Sequence, residues 1–279
     1  MFTFRQGTKL ILDDGANRYS LLVSSASASQ TFLESIQNTK TIHNPVIVER
    51  AFTTEKGVAN LTFNCHLGNS QVEASLLNWL GFGDVGGEHK IVTNNNSINK
   101  VTIYIDAGNT LYKLENCVAQ NISFSLSRKE ILSAEITAVA PDLVEVSSMP
   151  TTGNLVEQPI SFTTGTILIG GFPRIAGVTC EVTRSIEWLS QKSIFDIGSI
   201  YKVKTPVLTS MAISGTITQN KTDSTNTNAI GPVVIELGDS FKINLPSCNL
   251  VDRWDMGTIH KRITDYKLLP ASVNSFIKF

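Results

Sequence analysis

Charge is scarce in this chain. Only 17% of its 279 residues are charged, and 23 Lys and Arg nearly cancel 24 Asp and Glu, leaving −1 at pH 7. Domains usually carry about a quarter charged residues. A nucleic-acid reader needs a basic stripe to neutralise phosphates, and the sequence has none. No run of one sign marks a disordered acidic or basic tail. Long apolar runs are also missing: no stretch reaches the ~18 residues that a membrane helix requires. The opening Met1-Phe2-Thr3-Phe4-Arg5 lacks the basic-then-apolar order of an export signal. Synthesis in the cytoplasm, with no membrane partner, is therefore expected. Cysteine is confined to Cys65, Cys117, Cys180 and Cys248, far apart and without a CxxC pair. That spacing supports neither a zinc site nor a disulfide framework. Each falls on or at the end of a strand-like segment, so buried free thiols are expected.

Catalytic sets are absent too. The histidines His43, His66, His89 and His260 include no pair four residues apart, so no helical metal pair arises. His66 falls on the polar side of an alternating strand, and His89 lies in a Gly-rich stretch. Asp13-Asp14-Gly15 opens like a calcium loop but lacks the later ligands, so a turn is expected. Gly81-Phe82-Gly83-Asp84-Val85-Gly86 has the spacing of a phosphate loop. It follows a helical stripe instead of a strand, which argues against a dinucleotide site. No Gly-x-Ser-x-Gly turn occurs, and no His is placed to activate Cys117 or Cys248. The chain reads as a non-enzyme with no cofactor and no metal.

What the sequence does have is a period of two. Leu61, Phe63, Cys65 and Leu67 alternate with Thr62, Asn64 and His66. Ile122, Phe124 and Leu126 alternate with serines, and Val178, Cys180 and Val182 alternate with Thr and Glu. Such alternation marks antiparallel strands with one face buried and one wet. Three short helices are expected. Thr31 to Glu34 forms a capping box, with Ile36 following on the side of Phe32. Residues 184–195, with Ile186 and Leu189 on one face, would be its counterpart in the second half. Ser70 to Glu73 is another capping box, leading into a stripe of Val72, Leu76, Leu77 and Leu80 that Gly81 can end. Of the three tryptophans, Trp79 and Trp188 lie beside these stripes and are expected to pack inside, with Trp254 as a third aromatic. Residues 83–99 and 221–232 read as loops, and residues 147–153 as the boundary between two domains, 1–148 and 149–279.

The two halves echo each other. Val101 to Gly108, Leu111 to Leu114 and Asn116-Cys117 repeat as Val233 to Gly238, Phe241 to Leu245 and Ser247-Cys248. Each set reads as strand, glycine turn, strand and cysteine. Arg128-Lys129 and Lys261-Arg262 follow the two cysteines at similar distances. An internal repeat redirects attention from catalysis to assembly. These basic pairs are candidates for a subunit contact, though pairs of this kind also simply face solvent. A DNA-facing pore is disfavoured for them, because each neutralised phosphate adds friction.

Thr8 to Leu12, Ser29 to Glu34, Lys40 to Asn44 and Leu61 to Asn64 resemble the first half of certain bacteriophage tail tube proteins. Leu111 to Cys117 is similar to the hairpin before their last strand. The layout resembles the duplicated tube proteins of large siphophages, and most of the chain is covered. The resemblance implies a mainly β fold of two tandem β-sandwich or partial-barrel domains, each with a short flanking helix. It implies a structural virion protein of the tail, with three copies making a ring that imitates a hexamer. Implied partners are the chain itself, the tail terminator, tape measure and baseplate proteins, and DNA passing without sequence preference through the lumen. The alternative is a baseplate hub that caps the tube end. A carbohydrate-binding β-sandwich is a further reading. Interface residues expected on this view are Arg128, Lys129, Lys261, Arg262, Gly86, Gly87 and Asn95, with the loops at 83–99 or 221–232 ordering on ring stacking.

Overall fold

The alternating pattern becomes an almost entirely β molecule. A computed structural model describes residues 2–3, 8–41, 44–68, 71–85, 88–91, 98–127, 130–150, 153–159, 167–170, 172, 174–189, 200–202, 205–220, 229–237, 241–255, 260–269 and 276–278. The first strands are β1 (Phe2–Thr3), β2 (Lys9–Asp13), β3 (Asn17–Leu21), β4 (Val23–Thr41) and β5 (Asn44–His66). Helix α1 (Gln71–Trp79) follows, then β6 (Phe82–Val85), β7 (Glu88–Ile91), β8 (Val101–Asp106), β9 (Leu111–Ser127), β10 (Ser133–Ala140), β11 (Leu143–Val146) and β12 (Asn154–Glu157). The remainder is β13 (Ile167–Ile169), β14 (Ile175–Leu189), β15 (Ile200–Lys202), β16 (Thr205–Asn220), β17 (Ala229–Leu237), β18 (Phe241–Asp255), β19 (Lys261–Leu268) and β20 (Phe276–Lys278).

Eight long strands form the main sheet in the order β4-β5-β10-β9-β14-β16-β19-β18, and every pairing is antiparallel. The order repeats. The run β4-β5-β10-β9 comes from the first half, and β14-β16-β19-β18 from the second. A second layer covers the apolar face. In the first half it runs β12-β3-β2-β8-β9-β11. In the second it runs β13-β17-β18-β20, continued by β7-β6. Strands β9 and β18 serve both layers. Each bends where its register against the hairpin partner slips: between Leu114 and Cys117 opposite β8, and between Leu245 and Cys248 opposite β17. In β9 the bend places Asn116 at φ 52°, a left-handed conformation that Asn tolerates better than most residues.

One continuous buried cluster fills the space between the layers. It includes Leu61, Phe63, Ile122, Phe124, Cys180, Val182, Ile213 and Ile243. All four cysteines are buried and free, as their strand positions lead one to expect. The turn at Asp13-Asp14-Gly15 is also as expected. The Asp13 Oδ1 atom accepts Gly15 N at 2.8 Å, Asp14 Oδ1 accepts Ala16 N and Asn17 N, and Gly15 sits at φ 91°.

The helices differ from expectation in two of three cases. The stripe at 72–80 does form α1, and Gly81 ends it at φ 88°. Residues 31–34, however, lie within β4, opposite β5. Their polar signal marks a register shift between Gln30 and Phe32, where Gly57 leaves room for the Thr31 hydroxyl. Residues 184–189 likewise continue β14, so Trp188 is a half-buried strand residue; residues 190–195 lie outside the described part. Strand pairing supplied by a neighbour overrides a local capping signal. The expected loop at 83–99 in fact holds most of β6 and all of β7.

Candidate assembly edges

The seam between the halves lies inside the sheet. Strand β9 pairs with β14 from Asn121 opposite Thr183 to Ser127 opposite Gly177. Behind the seam, Phe124 and Phe241 tilt against each other with ring centroids 5.9 Å apart. Arg184 crosses the seam from β14. Its buried guanidinium donates to Trp79 O at the end of α1 and to Ala119 O, both at 3.3 Å. Cationic donors are favoured at a helix C-terminus, where carbonyls are unpaired. Burial holds the Arg184 pKa below its ordinary value. Trp79 is itself fixed by its indole N–H, which donates to Cys117 O at 3.0 Å.

The crossing segment is tied to the first half. Arg18 donates to Pro150 O and to Gly153 O, and β12 runs parallel to β3. Gln158 then reaches three partners: its Oε1 accepts Leu22 N, and its Nε2 donates to His66 O and to the buried Glu73 carboxylate at 2.6 Å. Glu73 also accepts Gly68 N at 2.8 Å.

At each end of the eight-strand order, an edge stays largely unpaired among the described residues. On β4 the outer edge meets only β1, at Ser27 and Ala28. On β18 the stretch from Val251 to Asp255 pairs with β19 on one side and with no described strand on the other. The matching stretch of β9 is the one that pairs with β14. Two apolar side chains crowd this open edge: Ile230 is 72% exposed and Val251 44%. An open strand edge with exposed apolar residues is a template for another strand.

The predicted site residues fall unevenly. Lys261 and Arg262 start β19, one strand inward of the open β18 edge. Arg262 pairs with Asp252, whose Oδ1 also accepts the Thr264 hydroxyl at 2.6 Å. Arg253, on the opposite face, forks onto Asp265. Arg128, Lys129, Gly86, Gly87 and Asn95 lie outside the described residues. Sequence reading missed Val251 and Ile230. Val251 carried a signal, since it is apolar on the strand face otherwise occupied by Asn249, Arg253 and Asp255.

The wet face of the main sheet is mostly polar, with Val251 an apolar exception at the β18 edge. One row crosses all eight strands: Ser25, Asn64, Glu135, Ser123, Glu181, Ser214, Lys267 and Asn249. The next includes Ser133, Ser125, Thr179, Thr216 and Asp265. Hydroxyls and amides dominate, and the cations Lys261, Arg253 and Lys267 gather on β18 and β19. Among the described residues, no cluster of three or more His, Cys, Asp or Glu could hold a metal.

This geometry suits edge-to-edge assembly. The model of the Bacteriophage Baseplate Tube Protein Family matches residues 3–279. The chain belongs to the bacteriophage baseplate tube family. It is also 22% identical over 227 residues to baseplate tube protein p140 of Escherichia phage T5, covering 77% of this chain and 74% of that protein. As a baseplate tube protein it is a structural component of a phage virion. No helix among its described residues is long and apolar enough to cross a membrane.

Proposed function

We propose that three copies close into a ring of the tail tube at its baseplate end. Each copy supplies two tube units, residues 1–148 and 149–279, so that the trimer imitates a hexamer. The observation that carries this reading is the β9–β14 seam, together with the open edges of β18 and β4 at opposite ends of the same sheet. A neighbour's β4 can continue β18 as β14 continues β9. Closure then removes the exposed edges. Three copies contribute about 24 strands. At ~4.8 Å per strand and a tilt near 40°, they close at roughly 45–50 Å between backbones, wide enough for a nucleic-acid duplex after side chains are added.

The Ser, Thr and Asn face then lines the lumen, because the apolar face is covered by the second layer. A near-neutral wall of hydroxyls and amides, with Glu135 and Glu181 set among them, gives sliding DNA little to grip. Arg262 holds the β18–β19 edge in shape through Asp252, and with Lys261 it acts at the subunit contact. A place at the baseplate is preferred over the length of the tube because the T5 relative bears that name. The ring therefore abuts other tail proteins and is made in the host cytoplasm.

Electron microscopy and mass measurement of the purified protein across a concentration series test the ring. Threefold rings of hexagonal outline are expected. A double change, Ile230→Lys with Val251→Lys, should give monomers whose unfolding midpoint is unchanged. A wild-type protein that stays monomeric at high concentration overturns the reading, as does a double variant that forms rings normally.

A further inference from the structure

Strands β11 and β20 occupy the same place in the two halves. Strand β11 pairs with β9 through Val144 opposite Lys113, Glu145 opposite Tyr112 and Val146 opposite Leu111. Strand β20 pairs with β18 through Phe276 opposite Asn244, Ile277 opposite Ile243 and Lys278 opposite Lys242. Both hairpins slip register at the cysteine, so Leu114 corresponds to Leu245. Val144 and Glu145 therefore correspond to Phe276 and Ile277. The outer edge of β20 is covered: β7 pairs with it, Lys90 opposite Phe276 and His89 opposite Ile277. Among the described residues, the outer edge of β11 pairs with no strand.

We propose that the β11 edge is a strand-docking site for a different tail or baseplate polypeptide. The occupant is an extended segment that adds antiparallel to Val144 and Glu145, as β7 adds to β20. Main-chain hydrogen bonds supply affinity in such additions, and alternate side chains supply specificity.

A neighbouring copy is a poor occupant. The hairpin that covers β20 comes from residues 67–100, between β5 and β8 of the preceding half. The corresponding spacer, between β16 and β17, is only residues 221–228. It is too short for a helix and a hairpin. Charge further defines the partner. Glu145 is exposed, and beside it opens a cavity of about 380 Å³ lined by Asp106, Asn109, Ser148 and Met149 among others. Val144 is 40% exposed on the other face of the strand. The docking segment accordingly carries a basic residue beside Glu145 and, next to it in sequence, an apolar residue beside Val144. If the ring reading above holds, the trimer offers three such sites where a sixfold ring would offer six.

A photoreactive phenylalanine analogue placed at Val144 in intact virions tests this, together with hydrogen exchange at residues 143–146. Irradiation should cross-link a peptide of another virion protein, with a basic residue adjoining the linked position. The amides should exchange at least tenfold more slowly in virions than in the isolated ring. Val144→Lys should leave ring mass unchanged and lower incorporation into tails at least tenfold. Cross-links confined to this chain, or exchange unchanged on assembly, overturn the proposal. Loss of rings in wild-type protein would instead count against the ring.

Discussion

At the residue scale, Gly215 is the most tightly enclosed of the described glycines. It lies between Cys180 on β14 and Tyr266 on β19. A Cβ there would run into the Thr179 carbonyl and the Tyr266 ring. Tyr266 cannot easily withdraw, because its hydroxyl donates to Thr179 O at 2.7 Å. Gly215→Ala must therefore push two paired strands apart. Overpacking of this kind costs about 1–3 kcal/mol, and loss of the tyrosine hydrogen bond adds about 1 kcal/mol. A urea titration should show a clear fall in midpoint, whereas Gly108→Ala, with open space around it but φ 88°, should cost less. The buried thiols give a second residue-level expectation. Burial pushes Cys65 and Cys180 up to about 12 and Cys248 to about 11 from an ordinary value near 9, and Cys117 is raised as well. Above pH 9 the unfolded chain releases thiol protons that the folded chain keeps. Stability that is fully present below pH 9 is thus lost as pH rises through 11–12, by roughly 1 kcal/mol per thiol per pH unit. Urea midpoints should be flat near pH 8 and fall steeply by about pH 10.5. In native protein near pH 8 the thiols should resist iodoacetamide until denaturant is added.

At the element scale, what could be read from the sequence depended on whether a signal was local. The alternation at Leu61 to Leu67 and at Ile122 to Leu126 is local, and β5 and β9 follow it. The stripe of Val72, Leu76 and Leu77 with Gly81 beyond it is local too, and α1 forms there. Thr31 to Glu34 carried an equally local capping box and became strand, because β5 offers pairing along nearly the whole of β4. The hairpin texture around Cys117 and Cys248 was legible, and the structure adds a matching register slip at both. The open edges were not legible. An edge is defined by which strand is absent beside it, and the order β9-β14 joins residues about 55 apart in sequence through a pairing that no periodicity announces. Arg184 was hidden for the same reason. A charged residue on an alternating strand reads as solvent-facing until the end of a helix from the other half is found against it.

At the scale of the whole molecule, the scarcity of charge becomes an argument about transport. If the wet face of the main sheet lines a channel, its Ser, Thr and Asn residues and its carboxylates decide how DNA moves through it. The exposed Glu135 and the half-buried Glu181 are neighbours across Ser123, near the middle of the sheet. Glu181 also accepts a hydrogen bond from Asn121 at 2.8 Å. Replacing both glutamates by lysine would place about six new cations in the proposed trimeric ring, each able to neutralise one phosphate. Wild-type rings should retain no duplex DNA at low salt. Glu135→Lys with Glu181→Lys should retain it at about 50 mM salt, with affinity falling about a thousandfold by 200 mM, as expected for some six phosphate contacts. Phage carrying the change should assemble tails of normal appearance and deliver DNA more slowly. If the double variant binds no DNA while its rings stay intact, the wet face does not line the channel.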